Sequence, residues 1–386
     1  MMVGRYHSVV RYPKRYVMMT AGTRPEILKL NPILRLLKIT NLPSILFLTN
    51  QQGELARSTL VELEIESESL VSVRHESATL ISDLCRIMDE LDQIVKASPP
   101  SAIIIQGDTL SVLASAQVAS FNKIPIIYIE AGLRTFNTLA PFPEEIVRRV
   151  VSQLSTINFA PTDVSAQNLI REGISEKSIH IVGNTSIDNL RISLAHSGHT
   201  DLLNRYLKLR EKYSEIVLVT SHRRELQDQD RISISLAINE LSKKHPEWLF
   251  IFPKHTNPNF SGIYDRYLLP NENIHRITPL DNKEIIALLR ICSIVMTDSG
   301  GIQEEATALA CPLIVLRDET ERPECLLLES TLLGFRNEVD LEQKIEFLVD
   351  GFPYLGPRVI SNSIFGDGYA AEKISEIIVE FFGDKE

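Results

Sequence analysis

The chain has little of what usually announces metal, redox or membrane chemistry. Its four cysteines, Cys85, Cys292, Cys311 and Cys325, are scattered without a C-x-x-C pair. That spacing excludes a zinc knuckle and a disulfide framework, and it fits a reducing compartment. No apolar run approaches the roughly 18 residues of a membrane span. The basic start MMVGRYHSVVRYPKRYV lacks the apolar segment of a secretory signal, so a cytoplasmic protein is expected. No Lys/Arg run occurs and the formal net charge is -10, which makes nucleic acid and anionic membrane poor partners. No G-x-G-x-x-G follows the first strand, because TAGTRPE carries only Gly22, and G-x-x-x-x-G-K-[ST] is absent throughout. NAD, FAD and P-loop nucleotide chemistry are therefore disfavoured. No cofactor and no metal is expected.

What is present is an ordinary globular composition, 44% apolar and 23% charged, in a chain of 386 residues. That length exceeds what one hydrophobic core usually serves, so two domains are expected. Short β-rich runs alternate with helical patterns: YVMMTAG, PSILFLTN, SAIIIQGD, IPIIYIEAG, INFAPT and IHIVGN, then IVLVTSH, WLFIFPKH, IHRITP, SIVMTD and PLIVLRD. Apolar runs of this kind, bounded by turn residues, suit parallel strands buried on both faces. Between about Asp188 and Glu215 the texture turns polar and helical, with no strand candidate. The fold class predicted is α/β, with two Rossmann-like doubly wound domains facing a central cleft. Residues 1–195 form an N-terminal domain carrying most acid/base groups, 196–365 a C-terminal nucleotide-binding domain, and 366–386 a last helix free to pack back on the first.

Ligands of open α/β sheets gather outside the carboxyl ends of the strands. There this chain places Arg24, Asp108, Glu130, His222 and the run Asp298-Ser299-Gly300-Gly301. Each alone reads as a cap or a surface charge; their common location points to a site. TDSGGIQEEA presents backbone N–H groups at a helix start, which suits a phosphate. In APFPEEIVRRVVSQL, Glu144 and Arg148 are spaced as an intrahelical ion pair, and Glu144 joins Asp108 and Glu130 as a third acid if that helix start lies near them.

The blocks GTRPEILKL, QGDT, EAGLRT, PFPEE, GNTSID, SHRRE, PKHTNPN, DSGGIQEEA and RDETERPE stand in one order over about residues 17 to 325. As a linked set they resemble the non-hydrolysing UDP-N-acetylglucosamine 2-epimerases. The resemblance implies a two-domain fold of the nucleotide-sugar glycosyltransferase type (GT-B-like), a homodimer, and interconversion of UDP-GlcNAc and UDP-ManNAc. It implies a catalytic cluster of Asp108, Glu130, Glu144, Arg148 and His222. Arg24 and Lys29 correspond to residues approaching the substrate phosphates. Ser299, Gly300 and Gly301 correspond to the diphosphate loop, Glu305 to the acid holding the ribose hydroxyls, and Arg322 to a further nucleotide contact.

The chemistry agrees. C1 of a pyranoside is an acetal carbon with no carbonyl to stabilise a carbanion at C2, so plain proton abstraction fails. Departure of UDP from C1 with loss of the C2 proton gives a 2-acetamidoglucal, and return on the opposite face inverts C2. That needs acid/base groups on two faces of the sugar and a cationic seat for the diphosphate. Several positions depart from the family pattern: Asn50-Gln51-Gln52 after the second strand, in a segment tied to allosteric activation, Val147 before the arginine, Leu226 after SHRRE, and Leu280 and Ile285 near the uracil. They leave open another UDP-2-acetamido sugar (6-deoxy or diacetamido-uronic), a hydrolysing epimerase releasing ManNAc, and a GT-B glycosyltransferase.

Overall fold

The computed structural model describes residues 15–40, 42–49, 59–61, 63–65, 79–195, 197–221, 226–254, 258–362 and 364–383. The chain divides into two compact units, with crossings between Thr185 and Ser186 and between Gly368 and Tyr369.

The first unit is built on a six-stranded sheet of β1 (Val17–Ala21), β2 (Ser44–Leu48), β3 (Ala102–Gln106), β4 (Ile126–Ile129), β5 (Ile157–Ala160) and β6 (Ile179–Ile181), in the order β2-β1-β3-β4-β5-β6. All neighbours run parallel. Successive strand residues serve opposite faces. Met18, Phe47, Ile103, Ile105 and Tyr128 pack beneath the helices Leu80–Ala97, Leu110–Phe121 and Glu144–Leu154. Val17, Met19, Ile104, Ile127 and Phe159 pack beneath Arg24–Ile39 and Ala370–Gly383. Each such side chain, fully buried, contributes about 1.5–3 kcal/mol. Because β2 lies on one side of β1 and β3 on the other, the strand order reverses between β1 and β3. That is where a doubly wound sheet opens a crevice at its carboxyl edge.

The second unit repeats the plan with β7 (Glu215–Thr220), β8 (Trp248–Pro253), β9 (Ile274–Ile277), β10 (Ile294–Thr297), β11 (Leu313–Val315) and β12 (Thr331–Leu333), ordered β12-β11-β10-β7-β8-β9 and all parallel. Its reversal lies between β7 and β10. Ile216, Leu218, Val295 and Leu313 face one core, and Val217, Val219, Met296 and Ile314 the other.

Two boundaries differ from the sequence reading. The polar stretch after Asp188 lies inside the second unit, and the first division falls before residue 195. Helices Thr185–Ala195 and Ser197–Lys212 belong to the second unit because Ile187, Leu190 and Leu203 are part of its core. The second division falls at Gly368 rather than residue 365, and the last helix joins the first unit, where Ala371, Ile374, Ile378 and Phe382 enter the core beside Ile27, Leu30 and Ile33. Strand β12 had no counterpart in the sequence reading, being three residues at a sheet edge and only partly buried.

Candidate active site

In the first unit, the turn after β1 starts the helix Arg24–Ile39 with Thr23 as N-cap and Pro25 in the first turn. Arg24 is half-buried there, and Glu26 is 2% exposed. Glu26 accepts the backbone N–H groups of Gly22 at 2.6 Å and Thr23 at 2.8 Å, and the hydroxyl of Thr109 at 2.6 Å. Burial pushes its carboxyl up to about 7, against the opposing effect of those hydrogen bonds.

Asp108 follows Gly107, whose φ of +86° suits glycine and whose carbonyl accepts the Tyr128 hydroxyl at 2.9 Å. Arg148, 2% exposed, reaches Asp108 through Nε at 2.9 Å and Nη2 at 2.6 Å, and Glu145 through Nη1 at 3.4 Å. Glu144 begins that helix and is half-buried. Glu145, fully buried, accepts the N–H groups of Thr135 at 3.0 Å and Phe136 at 3.1 Å and the Nε of Arg149 at 3.1 Å. The sequence reading paired Arg148 with Glu144; the partners that the fold brings to Arg148 include Asp108 from the neighbouring turn and Glu145.

Glu130, directly after β4, has a left-handed backbone with φ +67°, which costs a side chain other than glycine about 1–3 kcal/mol. Its carboxylate is held by Lys29 Nζ and Gln106 Nε2, and by Asn184 Nδ2 at 2.8 Å. Lys29, read as a phosphate contact, thus pairs with Glu130 in a buried ion pair. Asp108 and Glu130 stand at the carboxyl ends of adjacent strands, each against a cation.

In the second unit, the helix Gly300–Ala308 starts directly after β10, with Ser299 as N-cap and no capping bond from its hydroxyl. The first-turn N–H groups have no intrahelical acceptor and carry the positive end of the dipole. Arg322 is 4% exposed, and its guanidinium lies so close to Gly300 that a Cβ there would overlap it. Glu304 accepts Arg322 Nε at 2.6 Å and the Ser186 hydroxyl at 2.6 Å, and Glu321 accepts Arg322 Nη1. Arg317 donates to the Asp298 carbonyl at 2.7 Å and to Glu321 at 2.7 Å. Gly301 follows at the helix start, and Glu305 is 7% exposed. His222 lies outside the described residues, as do Asn50, Gln51 and Gln52. Among the described residues no group of three His, Cys, Asp or Glu side chains could hold a metal ion, and no helix is long and apolar enough to cross a membrane.

Comparison with known proteins shows the family. The family model described as UDP-N-acetylglucosamine 2-epimerase matches residues 35–379. The chain belongs to the UDP-N-acetylglucosamine 2-epimerase family. It is 33% identical over 368 residues to the UDP-N-acetylglucosamine 2-epimerase of Neisseria meningitidis, covering 94% of this chain and 99% of that one. With the enzyme of that name from Yersinia pestis the identity is 34% over 364 residues, covering 93% and 96%. Among solved structures, the N. meningitidis UDP-GlcNAc 2-epimerase bound to UDP-GlcNAc superposes with TM-score 0.87 at 31% identity, covering 95% of this chain and all of that one. The Methanocaldococcus jannaschii epimerase in complex with UDP-GlcNAc and UDP gives TM-score 0.80 at 31% identity, covering 95% and 99%. These relatives share the GT-B-like fold of two parallel sheets.

Against that family frame, four of the departing residues have plain structural places. Val147 and Leu226 are buried in hydrophobic cores. Leu280 and Ile285 pack against a core of the second unit. The sequence reading missed Glu26, Gln106, Glu145, Asn184, Glu304 and Glu321 as site residues. All six lie within the quoted blocks GTRPEILKL, QGDT, PFPEE, GNTSID, DSGGIQEEA and RDETERPE, so the available signal was the further polar residue in each block.

Proposed function

We propose that this chain interconverts UDP-GlcNAc and UDP-ManNAc by elimination and re-addition of UDP. The C1–O bond to the diphosphate breaks as the C2 proton passes to a carboxylate, leaving UDP and a 2-acetamidoglucal. A proton returns to C2 on the opposite face while a diphosphate oxygen rebinds C1. Atoms and charge balance without an external oxidant or reductant.

The observation that carries this reading is the pair Asp108 and Glu130 on adjacent strand ends, each fixed against a cation, Arg148 and Lys29. Together with Glu144 they take the proton transfers, Arg148 and His222 completing the catalytic set. Arg24 acts toward the phosphates, while Lys29 holds Glu130. Ser299, Gly300 and Gly301 receive the diphosphate on helix-start N–H groups, Arg322 adds positive charge behind them, and Glu305 takes the ribose hydroxyls. The reading carries with it a cytoplasmic homodimer, supported by the family resemblance.

Incubation with UDP-GlcNAc in deuterated water tests it. Deuterium at C2 of both recovered UDP-sugars is the expected result. Free ManNAc accumulating with UDP would replace epimerisation by hydrolysis, and absence of turnover would reassign the enzyme to another UDP-2-acetamido sugar.

A further inference from the structure

Helix-start glutamates that return a capping bond are common, and a cap contributes about 1 kcal/mol. Glu26 differs in being almost wholly buried, 2% exposed, where taking a carboxylate out of water costs more than one cap returns. Thr23 is the capping partner that helix formation alone requires. The additional acceptor role, toward Thr109, reaches across the strand-order reversal from the β1 turn to the β3 turn.

We propose that Glu26 is a positioning residue, a buried clamp that holds the Arg24 turn and the Asp108 turn in register. It rests on the epimerase reading above. One carboxylate oxygen receives the Gly22 and Thr23 N–H groups, directly before Arg24, and the other receives the hydroxyl of Thr109, directly after Asp108. The β3 turn is held again through Gly107, whose carbonyl accepts the Tyr128 hydroxyl, and a side chain added at Gly107 would meet the methylene chain of Glu26, its Cβ standing 3.8 Å from Glu26 Cγ. Asp108 is then fixed on its far side by Arg148. A carboxylate suits this task because its two oxygens accept from two turns at once, which an amide can match on one side only. The link runs through Thr109 and needs no contact between Glu26 and substrate.

The test compares the full-length chain with Glu26→Gln, Thr109→Val, Thr109→Ser and the double variant Glu26→Gln/Thr109→Val. Each is assayed for kcat and KM on UDP-GlcNAc and normalised to folded protein by thermal melting. Glu26→Gln is expected to lower kcat by up to about a hundredfold, the scale of a misplaced reacting group. Thr109→Val should lower kcat with KM unchanged, since it frees only the Asp108 side, and Thr109→Ser should restore it. The double variant should cost no more than Glu26→Gln alone, because both act through one link. Unchanged turnover per folded molecule in Glu26→Gln, or additive losses, would overturn the clamp. A crystal structure of Glu26→Gln gives a reading independent of turnover: the Arg148–Asp108 contact should open, and an unmoved contact overturns the proposal whichever sugar the unsubstituted enzyme accepts.

Discussion

Arg148 donates to one oxygen of Asp108 with two nitrogens, Nε at 2.9 Å and Nη2 at 2.6 Å, while Nη1 points to Glu145 at 3.4 Å. A planar fork therefore ties the strand-end acid to the helix that bears Glu144. Lysine, a single point charge, cannot reproduce that geometry. Arg148→Lys should lower kcat/KM by about tenfold to a hundredfold while leaving the protein folded. Arg148→Met should also destabilise by about 1–3 kcal/mol, because it leaves the half-buried Asp108 without this cation and the fully buried Glu145 with Arg149. Steady-state kinetics and urea unfolding separate the two effects.

Gly300 touches the Arg322 guanidinium, which Glu304 and Glu321 hold in place. An added methyl group cannot be relieved by a simple swing of the arginine. Gly300→Ala should therefore displace the helix start and weaken UDP binding by about tenfold, or about 1.4 kcal/mol. Titration calorimetry with UDP measures this, and unchanged affinity would remove Gly300 from the diphosphate seat.

Gly132 has φ +88°, and a Cβ there would run into the Ser165 carbonyl. Both strain and overlap act on the turn that carries Glu130. Gly132→Ala should cost at least about 2 kcal/mol of stability, seen as a lowered denaturation midpoint.

The raised pKa of Glu26, about 7 against an ordinary 4.5, has a stability consequence of definite sign. Folding favours its protonated form, so its contribution is present in full below the unfolded value and is lost as pH rises through the folded one. The loss is on the order of 3 kcal/mol. Comparing urea midpoints from about pH 5 to about pH 8, the gap between the native chain and Glu26→Gln should shift against the native chain as pH rises. A constant gap would mean that Glu26 does not titrate in this range.

Alternation of buried strands with amphipathic helices was legible because strands covered on both faces read as continuous apolar runs, as in IVLVT and AIIIQ. Strand-end placement of Asp108 and Glu130 followed from the same runs. Their partners did not, since Arg148 comes from a helix 40 residues on and Lys29 from one 101 residues back. Local spacing offered Glu144 as a mate for Arg148; the neighbouring turn adds Asp108, which spacing could not show. The unit boundary was misplaced for a similar reason: Ile187 and Leu190 look sparse in a polar stretch, yet both are fully buried once docked on β7 and its neighbours.

The helix Ala370–Gly383 closes the core of the unit whose first two strands, Val17–Ala21 and Ser44–Leu48, come near the start of the chain. A ribosome delivers β1 long before it delivers Ile374, Ile378 and Phe382, so in the nascent chain Leu30, Ile33 and their neighbours wait without this cover while the whole second unit is being made.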